Sequence, residues 1–146
     1  MNILVSACLL GVHCRYSGKG ELHPTVAKLL HTHHLIPVCP EILGGLPTPR
    51  TPAERCGARV MTRDGADVTE PYARGARETL ALAQLFDCRY AILKARSPSC
   101  GRGAIYDGTF SGTLTEGDGV TAQLLSAHGI RVFTEEQLAD FLREIG

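Results

Sequence analysis

Residues 90–101 read YAILKARSPSCG. Tyr90 to Lys94 form a short run rich in strand-forming residues, too brief for an ordinary helix, and this predicts a buried strand. The run stops at a Ser-Pro-Ser turn that carries Cys100. A buried strand needs neighbours, and similar apolar runs lie on both sides of it: NILVSA (2–7), LIPVC (35–39) and IRVF (130–133).

Helical patterns separate these runs. PTVAKLLHTHH (24–34) places Pro24 at a first helical position, where its missing N–H costs nothing. Thr69 is expected to cap a helix reaching about Asp87, with Pro71 in the first turn. GVTAQLLSAHG (119–129) ends at Gly129, a natural C-terminal stop. TEEQLADFLREIG (134–146) opens with Thr134 and Gln137 in capping-box spacing. Residues 40–58 hold Pro40, Pro47, Pro49 and Pro52 and little periodicity, which reads as an ordered functional loop. ARVMTRDGADVT (58–69) reads as a hairpin around Asp64-Gly65, and the glycine-rich stretch 95–119 as turns and loop. The expected architecture is α/β. It is a single domain over residues 1–146, with a mostly parallel, Rossmann-like sheet of about four strands flanked by helices and a small β-hairpin insertion.

The composition narrows the function classes. The chain has 146 residues, 44% of them hydrophobic and 21% charged, as in ordinary globular proteins. Fifteen basic residues balance fifteen acidic ones, so bulk charge makes no case for nucleic acid or membrane binding. The start, MNILVSACLLG, lacks a basic region ahead of its apolar run and reads as a first strand rather than a signal peptide, which implies a cytoplasmic protein.

Six cysteines remain to be explained. No C-x-x-C knuckle is present to hold structural zinc, and no export signal favours disulfides. Cys8 follows the first expected strand, Cys39 ends the second, and Cys100 lies in the loop after YAILK. Ligands of open parallel sheets bind beyond the carboxyl ends of the strands, so these three distant thiols converge on one crevice. Each sits beside Gly, Pro or Ser, residues that hold backbone in a set shape. Three thiolates suit zinc with an open position or an iron–sulfur cluster with one iron lacking a protein ligand, and spacing does not separate the two. Glu41 and Ser97 place polar groups beside these thiols. Cys14, Cys56 and Cys88 fall outside the pattern. Arg50, Arg55, Arg59 and Arg63 read either as an anion site or as a solvated surface, and HTHH (31–34) as cationic groups at a helix end.

The segments SACLLG with RYSG, PVCPEILGGLPTPR followed by TPAE, DVTEPYARGA, AILKARSPSCG, IYDGTFSG, GVTA-LL and GI-VF together resemble one family, in the same order from Ile3 to Glu136. That family was long catalogued as a domain of unknown function, and its characterised members are thiouracil desulfidases. The resemblance implies a 4Fe-4S cluster on Cys8, Cys39 and Cys100. It also implies a catalytic glutamate at Glu41, a catalytic serine at Ser97, and sulfur leaving a thiolated pyrimidine as hydrosulfide. Arg50 is the candidate substrate contact. Where the family usually has an aliphatic residue before the RY pair, this chain has Cys14, a possible fourth ligand, although three are favoured. The expected partner is a small thiolated pyrimidine, with RNA less favoured and no membrane. The alternatives are a zinc hydrolase on the same thiolates and a non-catalytic iron–sulfur or sulfur-trafficking module.

Overall fold

In the computed structural model, which describes residues 1–146, β1 (Asn2–Ser6) pairs with a parallel strand on each side. One neighbour is β2 (His34–Val38) and the other β5 (Tyr90–Leu93), which in turn pairs with β8 (Arg131–Thr134). The order β2–β1–β5–β8 gives the four-stranded sheet that the sequence predicts, and every pairing in it is parallel. Pro37 pairs with Val5 but has no N–H to donate, which is tolerated because β2 is an edge strand.

Alternation along the strands divides the core between two faces. Ile3, Val5, Ile92 and Phe133 pack with Val26 of α1 (Pro24–Lys28) and with Leu138 and Phe141 of α5 (Leu138–Ile145). On the opposite face, Leu4, Ala91, Leu93 and Val132 meet Ala83 of α3 (Thr69–Leu85) and Ala122 and Leu125 of α4 (Val120–Ala127). The sheet is thus covered on both sides, the arrangement parallel sheets require. None of the helices is long and apolar enough to cross a membrane.

Several local expectations are corrected. The helix expected over 24–34 ends at Lys28, continues as one 3₁₀ turn (Leu29–His31), and His34 already belongs to β2. The proline-rich stretch 40–58 contains a short helix, α2 (Pro40–Leu43), and a strand, β3 (Ala53–Cys56). That strand pairs with β4 (Arg59–Thr62) around Gly57, whose φ of 62° suits the turn, so the hairpin lies earlier than Asp64-Gly65 suggests. At Asp64-Gly65 the chain turns back only to a single bridge between Met61 and Asp67. A further hairpin, β6 (Ala104–Tyr106) with β7 (Leu114–Glu116), lies inside the glycine-rich stretch. Thr69 does not cap α3; its hydroxyl accepts the Val60 N–H at 2.9 Å and ties the helix to β4. The Thr134–Gln137 capping box is present as expected.

Candidate active site

β1 and β5 leave the sheet at the point where the chain order reverses, and the loops after β1, β2 and β5 enclose a cavity of about 410 Å³. Cys8, Cys39, Cys100, Glu41, Ser97 and Arg50 all line it, and so does Cys14. Cys56 is exposed on the β3–β4 hairpin, and Cys88 is buried before β5, away from this cavity.

Each thiol is held by a different local device. Cys8 lies in a 3₁₀ turn (Ala7–Leu9) that directly follows β1. Cys39 is the N-terminal flanking residue of α2, with Pro40 fixing the first helical φ. Cys100 belongs to a loop braced from two sides. Ser97 Oγ accepts the N–H groups of Ser99 (3.1 Å) and Cys100 (3.0 Å). The first amides of α4, which lack intrahelical partners, donate back to this loop, Val120 N to Pro98 O (2.9 Å) and Thr121 N to Ser99 O (2.8 Å). A Cβ at Gly119 would stand 2.3 Å from the Ser99 carbonyl carbon, so only glycine lets α4 approach this closely.

Glu41 occupies the first turn of α2 and reaches Tyr72 of α3, whose hydroxyl donates to Oε1. Arg50 Nη2 lies 3.4 Å from Oε2. The α2–α3 contact depends on two glycines. A Cβ on Gly75 would be 1.9 Å from the Pro40 carbonyl oxygen, and one on Gly44 would be 2.0 Å from that of Pro71. Arg50 also donates to the carbonyls of Cys14 (2.9 Å) and Pro47 (3.1 Å) and to Thr48 Oγ1 (3.2 Å). With 5% of its side chain exposed, Arg50 braces the loop; only its Nε lacks a partner. Of the other arginines weighed as an anion site, Arg63 lines the cavity, whereas Arg55 bonds to the Asp118 carbonyl and Arg59 pairs with Asp67.

The thiols sit in poorly solvated surroundings. Burial, followed by the nearby Glu41 carboxylate, pushes Cys100 up to about 12. Hydrogen bonding with the Cys14 thiol, and then burial, raises Cys39 far above the ordinary thiol value. Cys14 is also raised: its contact with Cys39 acts downward, but Cys8 and burial outweigh it. Cys39 further donates to the Cys14 carbonyl at 3.7 Å. Burial and mutual contact thus favour the neutral thiols in this pocket.

The family described as 2-thiouracil desulfurase matches residues 3–137. The chain belongs to this family. A relative from Bacillus subtilis (strain 168), the uncharacterized protein YbbK, is 47% identical over 150 residues, spanning 96% of this chain and 99% of its own. A solved structure, that of the [4Fe-4S]-dependent thiouracil desulfidase TudS, superposes with a TM-score of 0.93 at 45% identity. The match covers 99% of this chain and 97% of TudS.

Sequence reasoning singled out neither Tyr72 nor Glu54, and it left the role of Cys14 open. GTFSG (108–112), which holds Phe110, reads from the sequence as a turn-rich loop covering the site, and Phe110 and Gly112 line the cavity. Tyr72 stands in DVTEPYARGA next to Pro71, but nothing in that string says its hydroxyl faces a carboxylate 31 residues away. Phe110 carried a possible signal, since GTFSG places a bulky residue among turn formers.

Proposed function

We propose that this chain is a 4Fe-4S-dependent desulfidase. It would exchange the sulfur of a thiolated pyrimidine for the oxygen of water and release hydrosulfide. The observation that carries the reading is the convergence of Cys8, Cys39 and Cys100 with Glu41 on one cavity, at 45% identity to an enzyme of that description. Cys8, Cys39 and Cys100 would hold the cluster, and the soft, desolvated thiol set fits such a group. When bound, a cluster with one iron free of protein ligands supplies a soft Lewis acid for the substrate sulfur.

The chain's own groups account for the rest. Glu41, held through both oxygens, takes a proton from the water that attacks the thiocarbonyl carbon. Tyr72 and Arg50 keep that carboxylate aimed without competing for the proton, because both are donors. The Ser97 oxygen is occupied as an acceptor, which leaves its O–H free to donate towards the cavity. Arg50, which lines the cavity, is the candidate contact for a substrate carbonyl. The exchange turns C=S and water into C=O and hydrogen sulfide, with no change of oxidation state. A cavity of about 410 Å³ suits a single base or nucleoside better than a folded RNA.

The test is anaerobic reconstitution, followed by incubation with a panel of thiolated pyrimidines while hydrosulfide is measured. Brown protein with four irons per chain and hydrosulfide release is the expected result. Colourless protein with stoichiometric zinc would sink the cluster assignment, and a loaded cluster without turnover would leave only a binding or sulfur-trafficking module.

A further inference from the structure

The loop between β6 and β7 places Phe110 on the wall of the cavity that holds the thiols and Glu41. Its backbone lies in the left-handed region, at φ 56°. A residue with a Cβ pays for that conformation, and Gly or Asn would occupy it more readily. The loop keeps phenylalanine there and braces it. One oxygen of Glu54 accepts the N–H groups of both Gly108 (3.0 Å) and Phe110 (3.1 Å), two charge-assisted bonds that bracket the strained segment. Thr109 is tied to Asp107 through its N–H (3.0 Å) and its hydroxyl (2.6 Å). The Arg63 guanidinium lies over the ring, 5.6 Å from its centroid. Nothing in the proposed chemistry uses this assembly, yet strain held by dedicated bonds beside a site calls for a role there.

We propose that Phe110, backed by Arg63, is the stacking platform that selects a planar heteroaromatic ring and holds it against the cavity. Resting on the desulfidase reading, this assigns the pyrimidine's flat face to Phe110 and leaves its polar edge to the groups around Glu41. Stacking of a base on an aromatic side chain tolerates changes on the ring edge. The platform therefore predicts acceptance of several thiolated pyrimidines and exclusion of aliphatic thioamides, which lack a π face.

The test compares wild-type holoprotein with Phe110→Ala, Phe110→Leu and Phe110→Tyr. The readouts are the Kd for uracil by calorimetry and the KM and kcat for thiouracil, with visible absorbance and melting temperature as controls. Loss of one base–aromatic stack predicts a Kd and KM raised by about 5- to 150-fold in Phe110→Ala. The kcat should stay within about threefold, because the platform binds substrate and transition state alike. Phe110→Tyr should stay close to wild type. Phe110→Leu should resemble Phe110→Ala, because leucine restores volume but not the π face. Wild-type affinity in Phe110→Leu would reduce the residue to a space filler, and wild-type affinity in Phe110→Ala would remove it from the site; either overturns the proposal. The two readings fail separately. A wild-type protein that binds uracil through Phe110 but releases no hydrosulfide would overturn the activity and leave the platform standing.

Discussion

The Tyr72 hydroxyl donates to Oε1 of Glu41, and this bond joins the longest helix to the first turn of the shortest. Arg50 reaches the other carboxylate oxygen at 3.4 Å, so α3 and the loop after α2 hold Glu41 from both sides. Tyr72 is 2% exposed. Burial, and after it the Glu41 carboxylate, raises its phenol well above the ordinary value, so it remains a donor across the working pH range. The relationship makes Glu41 a fixed group rather than a mobile surface acid.

Tyr72→Phe removes that donor and keeps the ring. The expected result is a fall in kcat of about 10- to 100-fold, below the 10²–10⁴ range of a full general base because Glu41 is still present. KM should change little. The discriminating measurement is a double-mutant cycle: in a Glu41→Gln background Tyr72→Phe should cost nothing further in kcat. A full additional loss in that background would give Tyr72 a role independent of Glu41.

Ser97 braces the cysteine loop and, in the proposed reaction, also serves the chemistry. Its oxygen accepts the amides of Ser99 and Cys100, so Ser97→Ala leaves two N–H groups in the cysteine loop without a partner. Each lost bond costs about 1 kcal/mol. Ser97→Ala is therefore expected to lower cluster retention as well as turnover, measured as iron per chain after gel filtration. Ser97→Thr, which keeps the oxygen, should retain iron. Unchanged iron content in Ser97→Ala with lost turnover would assign the serine to chemistry alone.

The parts of this molecule legible in the sequence are those fixed by local pattern. Apolar runs gave all four parallel strands, and topology then placed Cys8, Cys39 and Cys100 at neighbouring strand ends. Thr134 and Gln137 gave their capping box, because both halves of that motif lie within one turn. The failures share a cause. The Asp64-Gly65 pair carries the stronger turn signal, yet the strands pair around Gly57, because Ala53–Cys56 gains a partner in Arg59–Thr62. Thr69 is a good cap by type, but Val60 N–H needs an acceptor and takes its hydroxyl. The Tyr72–Glu41 bond depends on two helices meeting through Gly44 and Gly75, a tertiary fact that no window of sequence contains.

Cys14 separates a three-thiol site from a four-thiol one. Its side chain is 2% exposed and lines the cavity, and its thiol neighbours Cys8 and Cys39. With three ligands, Cys8→Ser, Cys39→Ser and Cys100→Ser are each expected to lose most of the visible absorbance after reconstitution. Cys14→Ala should keep it. Loss of absorbance in Cys14→Ala equal to that of Cys100→Ser would make Cys14 a ligand and remove the open iron on which the proposed chemistry depends.

Gly75 tests whether the helix contact matters to the site. An added Cβ would lie 1.9 Å from the Pro40 carbonyl oxygen, a backbone atom that cannot rotate away. Gly75→Ala also gains helix propensity, about 1 kcal/mol in a relaxed helix. The clash should outweigh that gain, since overpacking costs about 1–3 kcal/mol and the obstructing group is main chain. The net effect expected is a melting temperature lower by a few degrees, at about 2–4 °C per kcal/mol for a chain of this size. Glu78→Ala, on the exposed side of the same helix, should stay within about 0.5 kcal/mol of wild type. Activity is the sharper readout. Relief of the clash must move α2 away from α3, and Glu41 leaves Tyr72 with it. Gly75→Ala is therefore expected to lose kcat at least as much as Tyr72→Phe and to retain less iron, because Cys39 flanks α2 and moves with it. A destabilised variant with wild-type kcat would show that the α2–α3 contact serves stability alone.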